Sequence, residues 1–385
     1  MAPGPVAYDD SDRTHGLVTE GSLAATEDAR VEWLIGAFLA RTDQDIDLTL
    51  TRLADAPVQA FAERRRDRLD EAALYGEATL PVGQSLRLTL GGRLFRSNTR
   101  VVSQATALTG SIAPFSGQSR QSGFAPKIVL SYALSPSALI YVQAAEGYRA
   151  GGFNTTGPPG QVFSVNGQAE PRRRYGGDEL WSLEAGGKVA LLDGRLRLRS
   201  AVFQTRWKDI QSDELLASAL PFTANIGDGR NLGLEVEGSY RLGGLRLGAN
   251  LLFNAPELEK ANPAFPARPD LNLAGAPHRA GGLTAHYDRP LGPDLTLELD
   301  GRYAQVGRSH LTFDATTAPV MGGYATGRLA IALAAPRWRV NLALDNPADV
   351  RGDTFAYGNP FSLRTSTQVT PLRPRTIALG VRVNY

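Results

Sequence analysis

Period-2 alternation of apolar and polar residues dominates this chain. From Leu295 to Tyr303, Leu295, Leu297, Leu299 and Tyr303 fall on one face, and Thr296, Glu298, Asp300 and Arg302 on the other. Leu232, Leu234, Val236, Tyr240 and Leu242 oppose Glu235, Glu237, Ser239 and Arg241. Leu86, Leu88, Leu90 and Leu94 oppose Arg87, Thr89 and Arg93, and Trp338, Val340, Leu342 and Leu344 oppose Arg337, Arg339, Asn341 and Asp345. The final stretch repeats the pattern with Leu379, Val381, Val383 and Tyr385. This spacing predicts β-strands with two unlike faces. The phase blurs at Phe203 and Trp207, and between 139 and 148 both faces are half apolar.

Connections alternate in length. Short turns fall near 80–85, 134–137, 192–195, 242–245, 290–294 and 334–337. Long polar stretches lie between them, at about 98–122, 149–178, 211–222, 256–276, 307–322 and 346–373. A soluble antiparallel sheet with one wet face also alternates. Strands of ten or more residues with alternately short and long connections instead fit a transmembrane β-barrel, whose turns are short on one side and whose loops are long on the other. About fourteen strands are expected, starting near Leu17, Val31, Ala72, Leu86, Lys127, Ala138, Leu180, Arg195, Arg230, Leu245, Arg279, Leu295, Tyr324, Arg337 and Thr376, with a further one possible at 46–53. All 385 residues read as one domain.

Composition narrows the function classes. The net charge of +2 gives no field that would draw the chain to nucleic acid. There is no Cys, hence no disulfide framework and no thiol chemistry. No apolar run is long enough for a transmembrane helix. The first ten residues lack a basic start and an apolar core and do not read as a signal peptide.

Candidate chemistry is sparse. Glu235 and Glu237 share a strand face and point into the lumen; paired acids can serve catalysis, but polar lumen lining is the plainer account. His15, His278, His286 and His310 lack metal-ligand spacing. No nucleotide-binding glycine motif stands in a strand–helix context, and no nucleophile elbow is present. No catalytic, cofactor-binding or metal-binding residue is therefore expected. Arg172, Arg173 and Arg174 lie in an outward loop, where guanidinium groups could hold an anionic ligand or lipopolysaccharide phosphates, or be solvated. Arg195, Arg197 and Arg199 face the lumen near a short turn. Tyr148, Phe153 and Trp207 lie near the outer strand ends, where an aromatic girdle is the default reading.

The stretch from Tyr141 to Asn154 carries Glu146, Gly147, Tyr148, Arg149, Gly151, Gly152, Phe153 and Asn154. It resembles a hallmark strand of TonB-dependent outer-membrane receptors. Further matches follow in order: Trp33 and Gly36; Tyr75-Gly76 with Gly91 to Arg93; Trp181 and Glu184; Asn225 and Gly227; then Gly233, Glu235 and Glu237; and the terminal strand ending in Tyr385. The resemblance spans nearly the whole chain.

The resemblance implies a receptor in the outer membrane of a Gram-negative bacterium. Such a receptor takes up a scarce, bulky nutrient, most often a ferric siderophore, with energy supplied through TonB acting on a plug. Its partners would be outer-membrane lipid and lipopolysaccharide, the barrel assembly machinery, TonB by way of the plug, and the siderophore. Arg149, Phe153, Asn154, Arg172, Arg173 and Arg174 are the expected ligand contacts, and Tyr385 an assembly signal. The family barrel has 22 strands around a plug. No plug precedes Glu32 here, so the expectation is a partial or open portion of such a barrel. A passive porin and a soluble β-sheet lectin or enzyme are the alternative readings.

Overall fold

A computed structural model describes residues 5–26, 29–53, 56–108, 110–155, 163–165, 168–170, 173–215, 221–263, 272–313, 319–354 and 368–383. Arg172 and Tyr385 lie outside them.

Alternation turns the chain into strands throughout. They are β1 (Val6–Ala24), β2 (Glu32–Arg52), β3 (Val58–Val82), β4 (Leu86–Ala107), β5 (Gly110–Ser135), β6 (Ala138–Arg149), β7 (Gly152–Phe153), β8 (Phe163–Val165), β9 (Gln168–Glu170), β10 (Arg174–Tyr175) and β11 (Asp178–Leu191). Then come β12 (Leu196–Lys208), β13 (Gln211–Leu215), β14 (Pro221–Asn225), β15 (Gly227–Leu242), β16 (Leu245–Ala261), β17 (Arg279–Gly292), β18 (Leu295–His310), β19 (Val320–Ala335), β20 (Trp338–Asp345) and β21 (Thr376–Val383).

Fifteen of these form one antiparallel sheet in the order β1-β2-β3-β4-β5-β6-β11-β12-β15-β16-β17-β18-β19-β20-β21. The other six pair two by two within the long connections, as β10-β7, β13-β14 and β8-β9. The fold is all-β and antiparallel, as expected. Among the described residues no pairing joins β1 to β21, so the sheet is open.

Two expectations need correction. The stretch at 46–53 is not a separate strand but the outer half of β2. The stretch at 98–122 is not a loop: Asn98 pairs with Arg120 and Val102 with Ser116 in a β4–β5 hairpin. The cause lies in which face carries which chemistry. β3 and β5 run 25 and 26 residues, far more than the ~9–11 needed to cross a bilayer. Beyond the crossing portion neither face needs to be apolar, so the alternation that marks a strand in sequence disappears while the backbone ladder continues. β1 begins at Val6 rather than Leu17 for the same reason, pairing Asp9 to Arg13 with the polar half of β2.

Register lines the apolar residues into one belt. Paired residues of an antiparallel ladder share a face. Leu23 pairs with Ile35, Leu74 with Leu94, and Leu94 with Phe124. Leu130 pairs with Val142, Val202 with Leu234, Leu283 with Tyr303, and Ile331 with Leu342 and, through it, Leu379. All of these side chains but Leu234, which is half-buried, are exposed in the isolated chain. A contiguous apolar belt across fifteen strands is far larger than a soluble monomer shows, and it fits contact with lipid.

The opposite face is polar, with glycines under aromatic rings. A side chain at Gly36 would strike the Tyr75 ring, and one at Gly233 would lie 2.2 Å from Phe203. The buried apolar cluster sits apart from the belt. Leu48, Leu50, Phe61 and Ala105 of the long hairpins pack with Ile210, Phe222, Ala224 and Ile226 between β12 and β15, with Leu258 near the end of β16, and with Leu273 in the connection after it. The sheet therefore curls until the tips of β2–β4 meet loops about 160 residues further along the chain.

Candidate functional site at the loop end

The short turns read from the sequence lie at one end of the sheet, and the long connections from β6 to β11, β12 to β15, β16 to β17, β18 to β19 and β20 to β21 lie at the other, beside the tips of the β2–β3 and β4–β5 hairpins. The connection from β6 to β11 folds inward at the loop end, and its residues build a polar site around one carboxylate. Asp178, the first residue of β11, is almost fully buried. Its Oδ1 accepts Arg149 Nε at 2.9 Å, and its Oδ2 accepts Trp207 Nε1 at 2.9 Å, the Gln211 backbone N–H at 3.1 Å and Arg149 Nη2. The Arg149 guanidinium also lies 5.2 Å from the centre of the Trp207 ring. Gln211 in turn donates through Nε2 to the carbonyls of Ala150 and Gly176, both at 3.0 Å. One buried anion thus ties together β6, β11, β12 and the β13–β14 hairpin.

A second layer continues inward. Asn154 donates through Nδ2 to the Thr223 carbonyl at 2.7 Å and accepts the Thr223 N–H at 2.8 Å. Phe153, 7 % exposed, packs against Phe115 with ring centres 5.8 Å apart. The Arg173 guanidinium lies 4.9 Å over Phe115, and Arg174 Nη2 donates to Ser119 Oγ at 2.9 Å. Arg65 of β3 is forked onto Asp67, at 2.7 and 2.5 Å, and reaches Thr155 Oγ1 at 3.3 Å. Burial pushes the Tyr175 phenol up from its ordinary pKa, with the nearby Arg65 charge partly opposing it. Tyr175 is therefore a neutral hydroxyl at physiological pH.

The expected contacts accordingly divide. Phe153 and Asn154 are buried and engaged in packing and loop anchoring, not aligned on an open surface. Arg149 is held by Asp178, though its side chain is 52 % exposed. Arg173 and Arg174 lie beside these residues. Phe153 and Trp207 point into this site, so the girdle reading of those two rings does not hold. Asp178, Gln211 and Arg65 escaped the sequence reading. The signal available was the charged opening of a strand directly after Gly176-Gly177.

Other motif residues have structural roles. The Asn225 side chain accepts the Gly176 N–H at 2.7 Å and donates to the Asp209 carbonyl at 2.6 Å, clipping two loops together. Gly227 has φ 139°, and a Cβ there would stand 2.0 Å from the Lys260 carbonyl oxygen. At Gly151 a Cβ would meet the Tyr175 carbonyl, and at Gly152 the Tyr175 ring. Glu146 is half-buried, Gly147 is open, and Tyr148 stacks on Phe95. Glu237 stands 3.8 Å from Arg199 across β12–β15, and Glu235 is on the same face, opposite Ala201. That is lumen lining with a charge partner.

An apolar belt, a polar inner face, short turns at one end and a built-up loop end define an outer-membrane-type β-barrel wall. The sequence profile of the family described as "TonB dependent receptor-like, beta-barrel" matches residues 2–346, and the chain belongs to that family. A curated relative, the metal-pseudopaline receptor CntO of Pseudomonas aeruginosa, is 28% identical over 229 residues, which are 59% of this chain and 29% of that protein. Among solved structures, the ferric yersiniabactin uptake receptor FyuA from Yersinia pestis superposes with a TM-score of 0.84 at 18% identity, over 100% of this chain and 56% of that one. The ferric-catecholate import receptor Fiu from E. coli K12 gives a TM-score of 0.70 at 17% identity, over 98% and 55%. The chain thus spans about half the length of these receptor structures. The family and these neighbours are transport receptors, which favours a receptor over the porin, lectin and enzyme readings.

Proposed function

We propose that this chain supplies barrel strands and loop-end binding surface of an outer-membrane receptor for a ferric siderophore or a similar bulky metal chelate. The observation that carries the reading is the inward-facing site of Arg149, Arg173, Arg174 and Trp207, braced on Asp178 at the end bearing the long loops. Guanidinium groups suit the carboxylates and catecholates that surround a chelated metal, and aromatic rings suit the chelator's flat parts. Phe153 and Asn154 support this surface from beneath. The three relatives named above point the same way: they are receptors for a metal-pseudopaline, for ferric yersiniabactin and for ferric catecholates.

Energy would come through TonB acting on a plug inside the same barrel, in the outer membrane of a Gram-negative cell. Tyr385 would close the strand read by the barrel assembly machinery. The test is uptake of radiolabelled iron from a panel of ferric chelates by cells making the intact receptor, with and without TonB. Accumulation of one chelate that needs both receptor and TonB is expected. Equal uptake without TonB would leave passive diffusion as the activity.

A further inference from the structure

Arg195, Arg197 and Arg199 stand around the start of β12, and the inner face beside them gathers more positive charge at the end bearing the short turns. The Arg241 backbone N–H donates to the Arg195 carbonyl at 2.9 Å, and Arg241 pairs directly with Arg246 across β15–β16. One row of the wall is therefore three arginines abreast. The next residue of β12 on that face, Arg197, stands opposite Ala190 and Ser239. The one after it, Arg199, stands opposite Lys188 and Glu237. All six basic residues are exposed. Like charges placed directly opposite each other destabilise a ladder, so folding alone gives no reason for the row.

Neutralisation is incomplete. Arg195 has Asp193 at 3.6 Å, Arg199 has Glu237 at 3.8 Å and Arg246 has Asp288 at 2.5 Å. Asp193 is 94 % exposed in its turn, where an ion pair is worth little. Among the described residues Arg197 and Arg241 make neither an ion pair nor a side-chain hydrogen bond, and Lys188 makes no ion pair. The row turns neutral at β17, where His286 lies between Asp300 and Asp288 at 2.7 and 2.6 Å. From end to end, this strip of wall reads cation, anion, cation. Trp207, in the loop-end site beside Arg149, lies roughly 33 Å of strand from Arg197 at ~3.3 Å per residue. Between them Glu184 faces inward opposite Phe203, and Glu235 opposite Ala201. Tyr141 donates its hydroxyl to Glu184, and among the described residues neither carboxylate makes an ion pair.

We propose that Arg195, Arg197 and Arg241 form a second station for an anionic metal chelate, at the point where it leaves the lumen. Exposed guanidinium groups fit the carboxylates and phenolates of such a chelate. The patch is an open wall rather than an enclosed pocket, so it attracts without holding, as a release point requires. Glu184 and Glu235 separate it from the loop-end arginines, so an anion rests at either station and not between them. A wall of one sign raises the local concentration of its counter-ion by ~10-fold or more. The patch thereby speeds passage toward the turn end without tightening capture at the loop end. The inference rests on the receptor reading above, to which it adds a site at the opposite end of the lumen.

The test measures surface capture on ice and accumulation on warming as separate quantities, in cells making the intact receptor. Radiolabelled ferric tricatecholate and ferric polycarboxylate are the anionic probes, and a ferric trihydroxamate is the neutral one. Combined Arg195→Gln, Arg197→Gln and Arg241→Gln substitution should leave capture of the anionic probe unchanged and slow its TonB-dependent accumulation roughly tenfold. The triple Lys variant should accumulate it at the wild-type rate. Arg241→Gln alone relieves the opposed like charges, so it folds, and it should slow accumulation by itself. Arg339→Gln, at a side chain paired with Glu298 at 2.6 Å on the same face, should change nothing. Outer-membrane level and heat-modifiable migration are checked for each variant. Unchanged accumulation in the folded Gln variants overturns the proposal, as does a Lys variant as slow as the Gln one. Entry of vancomycin into cells carrying the Gln variant also overturns it, because the patch would then seat a polypeptide in the lumen. A wild type that accumulates only the neutral chelate overturns it and leaves the uptake reading standing. A wild type that captures no chelate refutes that reading instead.

Discussion

Replacing Asp178 by Ala should release the β13–β14 region from the barrel wall. Its carboxylate accepts from Arg149, the Trp207 indole and the Gln211 amide, and is 2 % exposed. Truncation leaves these donors without their acceptor. A buried donor left unpaired costs about 1–3 kcal/mol. Arg149 is half exposed and can turn to water, so its share is discounted. Trp207 and Gln211 are themselves only partly buried, so at the lower part of that range, ~1–2 kcal/mol each, the two orphaned donors give about 2–4 kcal/mol for the local closing equilibrium. At ~1.4 kcal/mol per tenfold this is roughly a 30- to 1,000-fold rise in local opening. Amide hydrogen exchange of the intact receptor reads it directly, because opening short of global unfolding sets the exchange of such segments. Residues 209–215 and 221–226 should lose protection, while the belt strands β16 to β19 should not change. Asp178→Asn should fall between: its amide oxygen can still accept from Trp207 or Gln211, while its NH2 faces Arg149 as donor against donor. Exchange at 209–226 within threefold of wild type in the Ala variant would refute the anchoring argument.

Four further outcomes are expected. Leu329→Arg should destabilise folding into lipid bilayers by ~2–4 kcal/mol, because Leu329 pairs with Gly301 and Leu344 at mid-belt, while Glu298→Gln on the inner face should cost far less; equal effects in urea titration would invert the face assignment. Gly227→Ala should cost about 1–3 kcal/mol from its left-handed backbone, seen as faster proteolysis within 209–226. Tyr175 ionises above the usual tyrosine range, so its stabilisation is complete below about pH 10 and is lost as pH rises toward its folded value; the difference between wild-type and Tyr175→Phe alkaline absorbance titrations should be one late-ionising phenol. Paired Arg173→Ala and Arg174→Ala should weaken an anionic chelate at least tenfold and a neutral one little, by quenching of tryptophan fluorescence.

The membrane-crossing wall was legible because its physics is periodic. Lipid on one side and water on the other impose alternation, and most strands of the fifteen-stranded sheet start near a position read from it, whereas β1, β3 and β5 start at Val6, Val58 and Gly110, well before the expected Leu17, Ala72 and Lys127. Where both faces are wet the signal vanishes, which is why 98–122 read as a loop and 46–53 as a fragment. The blurred phase at Phe203 and Trp207 has a different source. Phe203 lies over Gly233 and Trp207 serves Asp178, so both are inward aromatics on a face that elsewhere carries arginine. The site was half legible. Arg149 and the glycines stood out as a motif, whereas Asp178 is one aspartate among many until β6, β12 and Gln211 converge on it. Such convergence over long separations leaves no trace in local spacing.

The two edges of the sheet have a direction. β1 runs from Val6, paired with Arg52 at the loop end, to Ala24, paired with Leu34 at the turn end. β21 runs from Thr376, paired with Asp345, to Val383, paired with Trp338 beside a short turn. Both strands travel the same way, as the first and last members of any odd-numbered meander must. Laid edge to edge they would make a parallel seam, with slanted hydrogen bonds, in an otherwise antiparallel wall. A cylinder closed throughout by antiparallel pairs therefore interposes an odd number of strands between β21 and β1, from whatever polypeptide they come. Seven would bring the count to the 22 of the large plugged transporters.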